Sequence, residues 1–214
     1  MEFACLELAI KCPKCDAPMP LNGPLQIAHC ENCQTDTEIE LEFWKDSIFD
    51  SIFEDLNEFE EGEGRNSTIF CTYNVTLLYG KSTPKCRKCK TPYDLPANLD
   101  EDADMFCTGC GEKMSIVKTP QWLKDMCPSI HSVINALLVD KSPEPGEKIS
   151  GVIVFTCPQC GGALKIDGSE RMPVCQFCNT NVYLPDDLWL RMHPAKMKVR
   201  WYVACDKPAP SSDE

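Results

Sequence analysis

The feature that most constrains the fold of this chain is the spacing of its cysteines. Six C-x-x-C pairs group into three sets of four, and the two pairs of a set are separated by 14, 17 and 14 residues. One isolated pair would suit redox chemistry equally well, but a second pair at this distance supplies the four thiolates of a tetrahedral zinc site. The predicted metal ligands are Cys12, Cys15, Cys30, Cys33, Cys86, Cys89, Cys107, Cys110, Cys157, Cys160, Cys175 and Cys178.

Sixteen cysteines among 214 residues would also suit a secreted disulfide scaffold. That interpretation needs a signal peptide, and the opening segment MEFACLELAIKC has neither a basic region nor an apolar region before a small-residue cleavage site. No apolar run reaches the roughly 18 residues that a membrane span needs. We therefore expect a cytoplasmic protein that keeps its thiols reduced and uses them to bind metal, three Zn²⁺ per chain.

The sequence around the cysteines also repeats. A strand-like run precedes each set, at residues 1–10, 68–79 and 149–156, and Trp44, Trp122 and Trp189 follow the last cysteine of each set by 11 or 12 residues. The predicted fold class is a small metal-stabilised α+β protein of three tandem zinc ribbons. Each ribbon is an antiparallel hairpin structure with a strand before it and a short helix after it. The predicted regions are 1–62, 67–140 and 148–206, with a linker at 141–147 and a disordered tail at 207–214.

Two amphipathic helices are predicted between the ribbons. The first runs from Phe43 to Phe59 and carries an apolar stripe at helical spacing, formed by Trp44, Ile48, Ile52, Leu56 and Phe59. The second is expected after the second cysteine set, with an apolar face formed by Ile130, Val133, Ile134, Leu137 and Leu138. The first helix would pack on a neighbouring ribbon or, alternatively, act as a docking surface.

The residue after the second cysteine of a metal-binding knuckle often has a positive φ angle, which favours Gly or Asn. Gly111, Gly161 and Asn179 fit this requirement, whereas the other three knuckles have Asp16, Gln34 and Lys90 there. A ribbon of some 35 residues buries too little apolar surface to fold alone. Structural zinc, which contributes about 10–16 kcal/mol in small fingers, is therefore expected to stabilise each ribbon.

The segment CPQCGGALKIDGSERMPVCQFCNTNVYLP resembles the zinc-ribbon superfamily, whose knuckles are similar to those of rubredoxin. It also resembles zinc-ribbon modules of bacterial proteins of unassigned function. The resemblance covers about 30 residues of each repeat and implies Zn²⁺ on the twelve cysteines named above. It implies no activity, because this superfamily includes nucleic-acid binders, accessory domains of enzymes and adaptors.

The formal net charge of −12 comes from one region. Between Glu31 and Glu63 there are thirteen acidic residues and one basic residue, Lys45. This charge disfavours a general affinity for phosphate backbones. Because four thiolates close each metal site and no catalytic motif is present, the leading hypothesis is a non-enzymatic adaptor for a protein partner, possibly a basic one. The candidate partner contacts are Trp44, Ile48, Ile52, Leu56 and Phe59.

Two alternatives remain open at the level of sequence. Basic stretches suggest nucleic-acid binding through ribbons 2 and 3, or otherwise a solvated face that offsets thiolate charge; the candidate phosphate contacts are Lys85, Arg87, Lys88, Lys90, Arg191, Lys198 and Arg200. Iron in place of zinc would make the chain a rubredoxin-like electron carrier. The remaining cysteines, expected to be buried thiols rather than a fourth metal site, are Cys5, Cys71, Cys127 and Cys205.

Overall fold

The computed structural model describes residues 1–96, 98–139, 153–168, 170–185, 188, 189, 192 and 197–206. The chain divides into two compact units. Unit 1 comprises Met1–Asp140 and Met197–Glu214, and unit 2 comprises Lys141–Lys196. The predicted regions 1–62 and 67–140 therefore share one unit, and the last ten described residues belong to it as well. The predicted linker and tail lie outside the described residues.

An antiparallel eight-stranded sheet organises unit 1, with the order β5-β6-β1-β12-β9-β8-β7 and β2 paired with part of β1. Strands β3 and β4 form a separate hairpin in the same unit, and β10 and β11 form a hairpin in unit 2. The strands are β1 Glu2–Lys11, β2 Pro18–Leu21, β3 Ile27–Cys30, β4 Thr35–Glu38, β5 Gly64–Ile69, β6 Val75–Lys81, β7 Ala103–Phe106, β8 Lys113–Lys118, β9 Ile130–Ile134, β10 Ile153–Thr156, β11 Ala163–Ile166 and β12 Trp201–Cys205.

The C-terminal strand β12 joins the two predicted ribbon segments, 1–62 and 67–140, into one sheet. It pairs with β1 on one side and with β9 on the other, for example through Trp201 opposite Leu6 and Val203 opposite Val133. All five of its residues are buried, which fits the continuous apolar sequence WYVAC of a strand that is covered on both faces. Residues remote in sequence thus complete the sheet whose β1–β2 and β7–β8 turns each hold one cysteine pair of the first two sets.

Two secondary-structure predictions were wrong. The segment 68–79 is not one strand, because it belongs to the hairpin of β5 and β6, which turns near Asn74 at a φ of 48°. The segment from Ile130 onward is not a helix but strand β9, which lies between β12 and β8. A short apolar run suits either structure, and here the β-branched residues Val133 and Ile134 take the extended form, where their side chains are fully buried.

The helices are short. A π-helical segment, Phe43–Phe49, continues directly into the α-helix α1, Asp50–Leu56, so the predicted first helix ends before Phe59. Helix α2, Gln121–Met126, contains Trp122 and begins after Pro120, whose fixed φ suits a helix start. The helix predicted around Trp189 falls largely outside the described residues. Of the helices in the described part of the chain, none has the length and apolar character needed to cross a bilayer.

The sheet of unit 1 has a core on each face. One core packs the π-helical segment and α1 against alternate residues of β1, β6 and β12, such as Leu6, Leu77 and Trp201. The other core packs the second cysteine set against the opposite face of β12, where Tyr202 and Ala204 lie, and against Phe3 and Cys5 of β1. Because successive side chains of a strand point to opposite faces, one face of the sheet packs against the helix and the other against the second cysteine set.

Candidate metal centres

Each cysteine set is built from two turns that face each other. In the first set, Cys12 and Cys15 lie in the turn between β1 and β2, and Cys30 and Cys33 lie in the turn between β3 and β4. In the other two sets one turn closes a strand hairpin, β7–β8 or β10–β11. The other turn in each of these sets is flanked by one isolated antiparallel β-bridge. The bridge pairs Lys85 with Pro92 in the second set and Val174 with Asn181 in the third set.

All six turns share one backbone geometry. The N–H of the residue after the second cysteine donates to the carbonyl of the first cysteine, at 2.8 to 2.9 Å. That residue has a φ between 53° and 72° in every knuckle, including Asp16, Gln34 and Lys90. The preference for Gly or Asn therefore failed to predict the positive φ angle at three of the six positions. There the hydrogen-bonded turn imposes the left-handed conformation on an ordinary residue.

The sulfur atoms lie at the distances that tetrahedral zinc requires. A Zn–S bond of about 2.3 Å predicts sulfur atoms about 3.8 Å apart. All four Sγ atoms of each set lie within 4.8 Å of one another, and the sulfur pairs between facing turns are 3.4 to 3.8 Å apart. All twelve cysteines are free of disulfide bonds. Each set can therefore hold one metal ion, and its dimensions and thiolate chemistry fit zinc.

Hydrogen bonds and burial act differently on the cysteines of one set. In the second set, hydrogen bonds led by the backbone N–H of Cys89 lower the pKa of Cys86 to about 6. The pKa of Cys110 rises to about 12, because burial and the neighbouring thiols Cys89 and Cys86 outweigh the N–H of Glu112, which lowers it. The thiols of one set therefore differ in how readily they ionise. A divalent cation would let all four ionise together.

The same contrast occurs in the other two sets. In the first set, burial opposes ionisation of Cys15, yet the amide of Asn32 and other donors lower its pKa to about 7. Burial is the main cause that raises the pKa of Cys30 to about 12. In the third set the hydroxyl and N–H of Thr180 lower the pKa of Cys178 to about 6. The turns thus point donors at the sulfurs, as metal-thiolate knuckles do.

The four remaining cysteines do not join a metal-binding group within the described part of the chain. Cys127 and Cys205 are buried in the core, and Cys5 and Cys71 are half-buried. Desolvation is the main cause that raises the pKa of Cys127 to about 11 and that of Cys205 to about 12. Cys127 and Cys205 are therefore protonated core residues at neutral pH, and for these two the prediction of a buried thiol is confirmed.

The apolar stripe proposed for partner binding is instead part of the core. Trp44, Ile48, Ile52 and Leu56 are fully buried, and Trp44 donates its indole N–H to the carbonyl of Leu25 at 2.8 Å. Phe59 packs partly buried against the same core. The docking interpretation of this stripe is therefore wrong, because these side chains already hold the helix on the sheet.

The exposed face of the same helical region carries the acidic residues. Five exposed carboxylates recur every fourth residue: Glu42, Asp46, Asp50, Glu54 and Glu58. Lys45 forms ion pairs with two of them, Asp46 at 3.2 Å and Asp50 at 3.0 Å. We call these five residues the acidic stripe. It is the part of the predicted docking helix that solvent and a partner can reach.

Five of the seven predicted phosphate contacts line the same cleft in unit 1. Lys85, Arg87 and Lys90 of the second cysteine set line a cleft together with Lys198 and Arg200, more than a hundred residues away. Lys88 is exposed but does not line this cleft, and Arg191 lies outside the described residues. Sequence reasoning could not join the two stretches, because their proximity depends on the pairing of β12 with β1.

No family model matches this chain, and neither a curated protein nor a solved structure matches it. The resemblance to zinc ribbons therefore depends on the twelve cysteines and on the geometry of their turns. That geometry describes a protein with three four-cysteine sites for metal ions.

Proposed function

We propose that this chain is a non-enzymatic zinc-binding adaptor that presents charged surfaces to a protein partner. The observation that supports this proposal is the closure of all three metal sites. Four protein sulfurs surround each site at tetrahedral spacing. A zinc ion held in this way has no position left for a water nucleophile or a substrate carbonyl, so its role is structural.

The role of the metal would be to stabilise the folded state of each small module. Unit 2 has a small core of seven buried residues in its described part, and two of them, Cys157 and Cys175, are metal ligands. Structural zinc contributes about 10–16 kcal/mol to small metal-binding domains, which is as large as the entire stability of a typical domain. Metal binding and folding of such a module would therefore be one process.

The acidic stripe is the surface proposed for the partner. Its carboxylates stand on a helix that is held rigidly on the sheet by buried aromatic side chains. A row of one-signed charges steers a basic partner and aligns it, mostly by raising the association rate. The proposed partner is therefore a protein with a basic segment.

The role of the stripe is tested with a lysine-rich peptide and two charge-matched triple variants of the zinc-loaded chain. E42Q/E54Q/E58Q removes three stripe charges, whereas the control E38Q/E101Q/E170Q removes three exposed charges elsewhere. Fluorescence anisotropy at low salt should show at least tenfold weaker binding by the stripe variant and less than a threefold change in the control. Equal losses in both variants would show that net charge, not the stripe, attracts the peptide.

Metal analysis of the purified chain tests the other half of the proposal. Three zinc ions per chain and a colourless protein are expected. A red protein that contains iron would instead support the rubredoxin-like electron carrier, because iron(III) thiolate sites absorb visible light.

A further inference from the structure

We infer that the basic cleft of unit 1 is a binding site for a compact phosphate-bearing anion. The cleft has a volume of about 700 Å³. Its cationic side chains are those of Lys85, Arg87, Lys90, Lys198 and Arg200. This site goes beyond the proposed adaptor role, because it has the opposite charge to the acidic stripe and would bind a different class of ligand.

The fold holds the two walls of the cleft in place. The first wall is the turn of Cys86 and Cys89, where the N–H of Cys86 donates to the carbonyl of Thr91 at 2.8 Å. The second wall is the beginning of β12 and the residues just before it. Between the walls, the N–H of Lys85 donates to the hydroxyl of Tyr202 at 3.4 Å. A metal ion in the second set would therefore position Lys85 and Lys90, which flank its first turn.

The charges of the cleft are only partly neutralised. Arg200 pairs with Glu7 at 2.8 Å, and Arg87 pairs with Glu112 at 2.6 Å. The ammonium groups of Lys85, Lys90 and Lys198 form no ion pair with a carboxylate in the part of the chain that is described. Because these three lysines are exposed, they are available to an anion that enters the cleft.

Cationic side chains outnumber carboxylates in the cleft, although the protein as a whole has a negative net charge. Five cationic side chains line the cleft, against the carboxylates of Glu7 and Glu63. Glu112 pairs with Arg87, so the excess is two positive charges before the thiolates of the neighbouring cysteine set are counted, in a chain whose formal net charge is −12. The three lysines without a carboxylate partner match a ligand with two or more phosphate charges.

The shape and surroundings of the cleft indicate the size of that ligand. A volume of 700 Å³ lies within the range of small-molecule sites, about 300–1,000 Å³. The two tyrosines of the cleft, Tyr79 and Tyr202, are each only 4% exposed, so neither ring can stack on a base. The features together favour a compact anion that is recognised through its phosphates.

The test is a calorimetric titration of the zinc-loaded full chain with pyrophosphate at low salt. The variant K85A/K198A removes two unpaired cations from opposite walls, and K88A removes a lysine of the same turn that does not line the cleft. We expect the double variant to bind pyrophosphate at least tenfold more weakly and K88A to bind it within twofold of the wild type. Measurements of zinc content and circular dichroism will establish whether both variants are folded.

Three other outcomes would overturn the assignment, each in a distinct way. No pyrophosphate binding at low salt would show that the lysines only offset thiolate charge. Equal losses in K85A/K198A and K88A would indicate diffuse attraction rather than a site. A single-stranded oligonucleotide that binds more tightly than pyrophosphate would replace the compact ligand with a nucleic acid. Equal affinities for pyrophosphate and a nucleoside triphosphate would confirm that only the phosphates are read. The zinc count and the acidic-stripe assay are independent of all these results.

Discussion

The substitution Ile52→Ala distinguishes a core helix from a docking helix. Ile52 is fully buried between α1 and the sheet, in the same cluster as Ile48 and Leu77. The change removes three carbon atoms, which cost about 2.4 kcal/mol at roughly 0.8 kcal/mol each. Because the surrounding strands relax only partly, the remaining cavity adds to this loss, and we expect a total of about 3–4 kcal/mol in the free energy of unfolding.

The assay is urea denaturation in zinc-buffered solution, followed by tryptophan fluorescence. With an m-value of about 2 kcal/mol/M, the midpoint of Ile52→Ala should fall by about 1.5–2 M. Ser51→Ala is the matched control, since Ser51 is exposed on the same helix, and its midpoint should barely change. A loss below about 1 kcal/mol for Ile52→Ala, together with weaker capture of the lysine-rich peptide, would refute the assignment of this side chain to the core.

Two further predictions concern the metal sites and the pH dependence of stability. Cys175→Ser should lower the zinc content from three ions to two, with the amide NMR signals of unit 1 unchanged, because Cys175 lies in the other compact unit; loss of all three ions would contradict this. Burial and the Asp55 carboxylate raise the pKa of Tyr79 to about 12. Its contribution to stability is complete below the ordinary pKa of about 10 and is lost as the pH rises towards 12. The stability difference from Tyr79→Phe, measured by urea denaturation, should therefore shrink over this range, and a constant difference would oppose it.

The metal ligands could be predicted from the sequence because their chemistry is local. Four sulfurs can meet only where two tight turns face each other, and a C-x-x-C spacing already specifies each turn. The set that begins at Cys12 therefore lies where the spacing placed it, with sulfurs 3.6 and 3.7 Å apart between its turns. The left-handed residues Gln34 and Lys90 were harder to predict, because the turn imposes their conformation through a hydrogen bond rather than through residue preference.

The roles of the surfaces could not be predicted, since they depend on which faces become covered. An apolar stripe that includes Ile48 has the same pattern whether it packs on its own sheet or awaits a partner. Only the position of β1, β6 and β12 under the helix shows that it is core. In the same way, the apolar run from Ile130 becomes a strand because β12 and β8 provide hydrogen-bonding partners on both sides.

The amino-acid sequence by itself determined the three sets of metal ligands, the reduced state expected of their thiols and the concentration of negative charge before residue 64. These properties follow from residue type and from spacing over a few positions. Only the tertiary structure decided that β12 joins β1 and β9 in one sheet, that the helical stripe is buried and that Lys85 and Lys198 line one cleft. The physical reason is that each strand could pair with several others, and the pairing that forms depends on the packing of the whole fold. Patterns over a few residues do not specify it.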